Sequence, residues 1–178
     1  MILNILKFPD PALRVPARPV EAITGETAEL MQNMLETMYA APGVGLAAPQ
    51  VGVSRRIIVL DLDHENPGPS AIKLANPVIL EAEGEVVYEE GCLSVVDFTA
   101  EVKRAERVAV SGYDEDGEEV EIEADGLLAV ALQHEIDHLD GKLFIDRISR
   151  LKRDIYVRKL KKSIRTGKEP QESRGLVI

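Results

Sequence analysis

Apolar residues recur at helical spacing in three segments of the chain. Between residues 27 and 40 they lie three or four positions apart, which predicts an amphipathic helix. Residues 125–141 are apolar nearly all round in the first turns, so we expect a buried helix, with Asp125 as its cap and Gly141 at its end. A third, basic amphipathic helix is predicted over residues 149–164. The second helix is expected to lie at the centre of the fold.

Shorter apolar or alternating runs predict strands in the middle of the chain. They cover residues 56–62, 72–80, 85–88, 108–113 and 119–123. Asp116-Gly117, between the last two runs, is typical of a hairpin turn. Because the strands cluster together with helices on either side, we predict an α+β fold. Small antiparallel sheets would pack around the buried central helix, and a basic helix would follow at the C-terminal side.

The size and composition of the chain fit one globular unit. With 178 residues, of which 45% are hydrophobic, the chain can bury a proper core. It has no run of about 18 apolar residues, so we expect no membrane span. Its first residues lack the layout of a signal peptide. The single cysteine excludes an internal disulfide framework and indicates a reducing, cytoplasmic location.

The net charge of −10 conceals a division between an acidic body and a basic end. Before residue 147 there are 10 Lys/Arg against 28 Asp/Glu, and from residue 147 onward there are 11 against 3. Such asymmetry is typical either of docking onto a polyanion such as nucleic acid or of a solvated surface helix. Leu151, Ile155 and Leu160 are expected to pack the basic helix onto the body. We predict one domain over residues 1–165 and a disordered tail over residues 166–178.

The most informative chemical motif is H-E-x-x-H at residues 134–138. In a helix, residues four apart lie on one face, so His134 and His138 can hold one metal ion between their ring nitrogens. Glu135 is adjacent to that face, where it can exchange a proton with a metal-bound water. The alternative is a buried helix whose two histidines only form hydrogen bonds in the core.

A metal site needs a third ligand, and the sequence offers several candidates. The longer protease pattern H-E-x-x-H-x-x-G-x-x-H does not fit, because Phe144 stands at the third histidine position. The glutamates after His138 lie in the predicted tail, and His64 lies in a Pro/Gly-rich loop that we expect at the surface. Cys92 remains, and a thiolate is a strong ligand for soft metals. We favour ligation by Cys92 over the alternative of a buried, inert cysteine.

A glycine-rich segment at residues 43–48 (GVGLAA) formally matches the dinucleotide-binding pattern G-x-G-x-x-G/A. That pattern requires a strand before it and a helix after it, whereas here a predicted helix precedes and Pro49 follows, so we expect no dinucleotide. A glycine-rich loop also lets an extended peptide approach closely. Gln50 at its end can donate an amide hydrogen bond to a developing oxyanion.

Three motifs together resemble those of the peptide deformylases, in the order found in that family. They are GVGLAAPQ at residues 43–50, EGCLS at residues 90–94 and QHEIDH at residues 133–138, and the similarity extends to about residue 165. The resemblance implies a cytoplasmic hydrolase that removes the formyl group from the N-terminal formyl-methionine of nascent bacterial proteins. It also implies one divalent metal ion, with Fe²⁺ as the native ion and Zn²⁺, Ni²⁺ or Co²⁺ as substitutes.

The same resemblance implies roles for individual residues. The implied metal ligands are Cys92, His134 and His138. Glu135 would transfer protons, while the Leu93 backbone N–H and the Gln50 amide would stabilise the oxyanion. Further substrate-binding residues expected on this basis are Gly43, Val44, Gly45, Tyr88, Glu90, Gly91, Leu127, Val130 and Ala131. Among these, the methionine side chain would enter a pocket formed by Val44, Tyr88, Leu127, Val130 and Ala131.

One segment departs from the family pattern. Many relatives follow the cysteine motif with a proline-containing turn and a basic residue, whereas this chain has VVDF at residues 95–98 followed by Thr99. The metal-site motifs are unaffected, so the departure concerns contacts with the peptide beyond its methionine.

Two other functions fit the residues alone, namely a metallopeptidase of unusual ligation and a non-catalytic metal- or ribosome-binding protein. An open metal position beside Glu135 favours catalysis, because a structural site is normally closed by a fourth ligand. Some bacterial deformylases are thought to dock on the ribosome through a basic C-terminal helix. The basic end of this chain resembles such a helix, so the ribosome is an expected partner.

Overall fold

Three α-helices and two antiparallel sheets are found in residues 1–168 and 177–178, the part of the chain that the computed structural model describes. The helices are α1 (Gly25–Ala40), α2 (Gly126–Leu139) and α3 (Arg150–Thr166). The strands are β1 (Gly45–Ala47), β2 (Ile57–Leu60), β3 (Ile72–Glu83), β4 (Val86–Cys92), β5 (Val95–Arg104), β6 (Arg107–Tyr113) and β7 (Glu119–Asp125). The predicted α+β class with small antiparallel sheets is confirmed. No helix among the described residues is long enough and apolar enough to cross a membrane.

The larger sheet has the strand order β1-β2-β3-β6-β7, and the smaller sheet pairs β4 with β5. The predicted hairpin joins β6 to β7, with Gly117 at a φ of +81°, a backbone conformation that favours glycine. Among the seven strands of the described part of the chain, β1 is hydrogen-bonded only to β2, and β4 only to β5. Both strands therefore have an edge that is open to another extended segment.

The apolar core lies on both faces of β2. Ile58 and Leu60 belong to the cluster that contains α2, whereas Ile57 and Val59 belong to the cluster that contains the methionines of α1. This alternation follows from the period of two along a strand, and all four residues are fully buried. At β2 the larger sheet is therefore covered by one helix on each face.

α2 is buried along most of its length, because its residues are mostly apolar. Its observed bounds agree with the predicted helix to within two residues. Asp125 occupies the N-cap position, as predicted, but its side chain makes no capping hydrogen bond. The buried positions include His134 and His138, which places the H-E-x-x-H motif in the interior.

α3 packs one face against the small sheet, although not through all the residues expected. Tyr156 and Leu160 are buried in a cluster that also contains Cys92. Leu151 is 71% exposed and Ile155 is 43% exposed, so their predicted packing is wrong, whereas that of Leu160 is confirmed. The tyrosine hydroxyl donates a hydrogen bond to a backbone carbonyl of β5 at 3.1 Å. The basic helix is thus attached to the strand that follows the cysteine motif.

The predicted tail over residues 166–178 falls largely on residues 169–176, which lie outside the described residues. Thr166 is the last residue of α3. Val177 and Ile178 lie against the body of the protein, where Val177 pairs with Gly91 and Ile178 is buried.

Candidate active site

Three potential metal ligands from two elements converge in the interior. Cys92 ends β4, whereas His134 and His138 lie one turn apart on α2. Their ligand atoms all lie within 4.8 Å of one another, with 3.3 Å between Cys92 Sγ and His138 Nε2. All three side chains are buried. The predicted grouping of these residues is confirmed.

Two buried ring nitrogens of this cluster have no hydrogen-bond partner among the described residues, namely His134 Nε2 and His138 Nδ1. Buried polar atoms nearly always have a partner, because an unpaired one costs free energy. The unpaired His134 nitrogen, the His138 ring and the neighbouring thiol form a donor set that suits a divalent metal. The residues present therefore fit a metal ion that retains an open coordination position.

Glu90 fixes the orientation of the His134 ring. Its carboxylate accepts a hydrogen bond from His134 Nδ1 at 2.8 Å, which leaves Nε2 available to a metal. Arg104 donates two more hydrogen bonds to the same carboxylate, both at 2.8 Å. Burial alone would raise the pKa of Glu90, but the hydrogen bonds from Arg104 and His134 lower it below its ordinary value. Both carboxylate oxygens of Glu90 therefore accept hydrogen bonds from protein groups. The sequence-based expectation was that Glu90 contacts the substrate.

Arg104 connects Glu90 to a second carboxylate. The guanidinium donates to Asp137 Oδ2 at 2.6 Å, and Arg147 donates to the same carboxylate at 2.5 and 2.7 Å. Arg104 and Asp137 are buried, so their charges must be compensated by one another and by these neighbours. This network is not among the predicted site residues. The one sequence signal for it is the alternation of residues 100–104, which places Arg104 on the same face as Ala100 and Val102.

Glu135 is fully buried beside the metal ligands. Neither of its carboxylate oxygens has a hydrogen-bond partner within the described residues. Burial, together with the nearby charge of Glu90, raises the pKa of Glu135 well above its ordinary value. Gly45 permits this close approach, since a Cβ atom at Gly45 would lie 2.4 Å from Glu135 Oε1. A carboxyl group with unused oxygens and a raised pKa is suited to proton transfer.

The Gln50 amide reaches the same site from the short 3₁₀ helix Ala48–Val51, which follows β1. Its Nε2 lies 3.6 Å from Cys92 Sγ and donates a hydrogen bond to Ser94 Oγ at 3.1 Å. Its Oε1 accepts a hydrogen bond from a backbone N–H of β1 at 2.8 Å, which fixes the orientation of the amide. Leu93 follows the cysteine directly. Gly43 leaves room for the Leu93 side chain, because a Cβ atom at Gly43 would lie 2.7 Å from Leu93 Cδ1.

Burial also sets the protonation of the ligands. It raises the pKa of the Cys92 thiol to about 12. Burial, assisted by the nearby charge of His134, lowers the pKa of His138 well below its ordinary value. Near pH 7 the thiol is therefore protonated and the His138 ring is neutral. Metal uptake must displace the thiol proton, so the affinity for metal increases with pH.

The residues predicted to surround a methionine side chain belong to one apolar cluster. Val44, Val130 and Ala131 are buried, and Tyr88 and Leu127 are partly buried against the same cluster. The cluster lies between the larger sheet and α2, the helix that carries two of the candidate metal ligands.

Two other sequence features are His64 and the dinucleotide-like pattern of residues 43–48. His64 is exposed in the loop after β2, as predicted. Residues 43–48 lead into β1 and then into the short 3₁₀ helix Ala48–Val51. This arrangement differs from the strand–turn–helix that a dinucleotide site requires.

An α+β fold that holds a buried Cys/His/His cluster beside an unpaired glutamate defines a metal-dependent hydrolase. The family model for polypeptide deformylase matches residues 2–154 of this chain. The chain therefore belongs to the peptide deformylase family, which confirms the resemblance inferred from the three motifs.

Individual relatives agree with this assignment. The peptide deformylase of Thermodesulfovibrio yellowstonii is 55% identical over 160 residues, which cover 90% of this chain and 97% of that protein. A crystal structure of a peptide deformylase from Legionella pneumophila has a TM-score of 0.87 and 47% identity, covering 96% of this chain and 100% of that one. A peptide deformylase from Synechococcus elongatus in complex with actinonin has a TM-score of 0.85 and 42% identity, covering 89% and 88% of the two chains.

Proposed function

We propose that this protein hydrolyses the N-formyl group from the N-terminal formyl-methionine of newly synthesised proteins. The observation that carries the proposal is the cluster of Cys92, His134 and His138 beside the unpaired carboxylate of Glu135. Membership of the peptide deformylase family supports the same reaction. Residues 1–165 would form the single catalytic domain.

One divalent metal ion held by Cys92, His134 and His138 would complete the site. Two imidazoles and a thiolate accept Fe²⁺, Co²⁺, Ni²⁺ or Zn²⁺, and we take Fe²⁺ as the native ion from the family resemblance. When bound, the ion supplies a Lewis acid that lowers the pKa of a water molecule. Glu90 keeps His134 Nε2 free for the ion by accepting the hydrogen bond from Nδ1. Its role is therefore to position a ligand rather than to bind substrate.

Glu135 is the proposed proton carrier. Its carboxylate can accept a proton from the attacking water, since neither oxygen has a partner among the described residues. The raised pKa of Glu135 favours retention of that proton until the carbon–nitrogen bond breaks. The proton then passes to the leaving amine, and the products are formate and a free N-terminal methionine.

The Leu93 backbone N–H and the Gln50 side-chain amide are the proposed donors to the oxyanion. Gln50 is already held by hydrogen bonds to Ser94 and to the backbone, so its amide needs little reorganisation during the reaction. Gly43 and Gly45 leave space beside these donors for an extended peptide. The apolar cluster around Val44 would receive the methionine side chain.

Formyl-Met-Ala and an unformylated internal peptide are the substrates that test the proposal. The metal-loaded protein is expected to release formate from formyl-Met-Ala and to leave internal peptide bonds intact. Actinonin, which the Synechococcus elongatus relative binds, should inhibit the release of formate. Cleavage of the internal peptide alone would indicate a metallopeptidase, and bound metal without any turnover would indicate a non-catalytic protein.

We further propose that α3 docks the enzyme on the ribosome in the cytoplasm, close to its substrate. The basic side chains exposed on this helix are Arg150, Lys152, Arg158, Lys159, Lys161, Lys162 and Arg165. The strongly acidic composition before residue 147 repels RNA, so docking would be confined to α3. Contacts of this kind with phosphate weaken steeply as the salt concentration rises.

Reversal of four charges on α3 is expected to weaken co-sedimentation with ribosomes at low salt by about tenfold or more. The four positions, each changed to glutamate, are Arg158, Lys159, Lys162 and Arg165. Turnover of formyl-Met-Ala should persist, because these side chains are exposed and lie outside the site. Deletion of the helix would be a poorer experiment, since Tyr156 and Leu160 are buried against the cluster that contains Cys92.

The matched control exchanges lysine and arginine at the same four positions, which preserves the charge. Equal sedimentation of the charge-reversed and unmodified proteins would mean that α3 is a solvated surface helix.

A further inference from the structure

Residues 177–178, which we call the 177–178 segment, lie between the two sheets and form a single isolated β-bridge at Val177. The Ile178 backbone N–H donates a hydrogen bond to the Gly91 carbonyl at 3.3 Å, and Gly91 and Val177 form a parallel bridge. On the other side, the Val44 backbone N–H donates to the Val177 carbonyl at 3.2 Å. The segment therefore joins the open edge of β4 to the residue that precedes β1.

Both backbone partners of the 177–178 segment are neighbours of the catalytic groups. Gly91 immediately precedes Cys92, and Val44 immediately precedes Gly45, whose backbone adjoins the Glu135 carboxylate. An extended segment that pairs with an exposed strand edge uses the same main-chain hydrogen bonds as a peptide ligand that binds by strand addition. The position of the 177–178 segment is thus that of a peptide in the cleft.

The Ile178 side chain is buried in the apolar core cluster that also contains the residues proposed to receive methionine. It is only 1% exposed, and it belongs to the buried cluster that contains Val44, Val130 and Ala131. Tyr88 and Leu127 pack against the same cluster. Isoleucine and methionine are apolar side chains of similar size, so one pocket can accept either.

We propose that the 177–178 segment is autoinhibitory: it occupies the substrate cleft and must leave before a formylated peptide binds. This inference rests on the proposed deformylase function of the same cleft. The segment belongs to the same chain and follows the end of α3 by ten residues, so its occupancy of the cleft does not depend on the protein concentration. Occupancy raises the apparent KM in inverse proportion to the fraction of molecules whose cleft is free, and it leaves kcat unchanged at saturating substrate.

Ile178→Asp in the full chain tests the proposal, because a carboxylate is disfavoured in the apolar pocket. The KM for formyl-Met-Ala is expected to fall by about 3- to 10-fold with kcat unchanged. Hydrogen exchange of the Val44 amide, which donates to Val177 in the occupied state, should become faster. Ile178→Ala provides a milder variant with changes in the same direction, in case the charged variant folds poorly. Leu80→Asp, at a half-exposed position on β3, is the matched control and should change neither quantity.

Three results would overturn the proposal. One is an unchanged KM together with unchanged Val44 exchange in both Ile178 variants. Another is a KM of the unmodified enzyme that rises with enzyme concentration, because the occupant would then belong to a second copy of the chain. The third is faster Val44 exchange with no change in KM, because the segment would then not exclude substrate. Absence of formate release from every variant and from the unmodified protein would instead contradict the proposed function, and the Val44 exchange would still report whether the segment is bound.

Discussion

Glu135→Gln is expected to retain the bound metal and to lose turnover of formyl-Met-Ala by about 10²-fold or more. The amide has nearly the same shape as the carboxylate, but it cannot accept a proton from water or return one to the leaving amine. Glu135 is buried with both carboxylate oxygens unpaired among the described residues, so this side chain is free to handle a proton. It is not part of the cluster of Cys92, His134 and His138, and its replacement should therefore not release the ion.

Metal content by elemental analysis and kcat/KM measured on the same preparations check this expectation. Glu101→Gln, which changes an exposed glutamate of β5, is the matched control and should leave both quantities unchanged. Joint loss of metal and activity in Glu135→Gln would mean that this glutamate is a ligand.

Cys92→Ser should lose most of its metal and, with it, the release of formate. A serine hydroxyl is a much poorer ligand than a thiolate for Fe²⁺, Zn²⁺ or Ni²⁺. Because the pKa of the buried thiol is about 12, metal binding to the unmodified protein should also release a proton near pH 7. The apparent affinity for metal should then rise by about tenfold for each unit of pH. In the serine variant this dependence should weaken, since no thiol proton has to be displaced.

Metal titrations at several pH values, with proton release followed in weak buffer, provide the measurement. His64→Ala is the control for a potential ligand outside the cluster, because His64 is exposed. A full equivalent of tightly bound metal in Cys92→Ser would show that the third ligand lies elsewhere.

The sequence predicts the central helix and its motif well, because helical periodicity and the spacing of His134 and His138 are both local features. The hairpin between β6 and β7 is equally local, since Asp116-Gly117 specifies the turn. The third ligand was found by elimination and by family resemblance. Periodicity alone cannot show that Cys92 on one sheet meets two histidines on a helix.

β5 was not predicted, because its first half does not alternate in a simple way. Asp97 adopts a positive φ of 56°, and the buried positions alternate regularly only from Ala100 to Arg104. Arginine is usually a surface residue, so the sequence does not indicate that Arg104 is buried. Its burial depends on Glu90 and Asp137, which come from other elements. The charge network that orients His134 was missed for the same reason.

The packing face of α3 was also only partly predictable. Leu151 and Ile155 have suitable helical spacing, yet they remain exposed while Tyr156 carries the contact with β5. A single tyrosine in a helix rich in charged residues gives a weak amphipathic signal, and its packing depends on the position of Phe98, whose ring centroid lies 4.5 Å from the tyrosine ring. Such a contact between distant segments cannot be inferred from the pattern within the helix.

The metal ligands come from parts of the chain that are far apart, and this affects the fold as well as the chemistry. Cys92 and His138 are 46 positions apart and belong to β4 and α2. An ion bound by both acts as a cross-link that the unfolded chain cannot form with the same geometry. By thermodynamic linkage, each tenfold increase in free metal above the Kd adds ~1.4 kcal/mol to the free energy of unfolding. A metal-starved population is therefore both less active and easier to unfold and degrade.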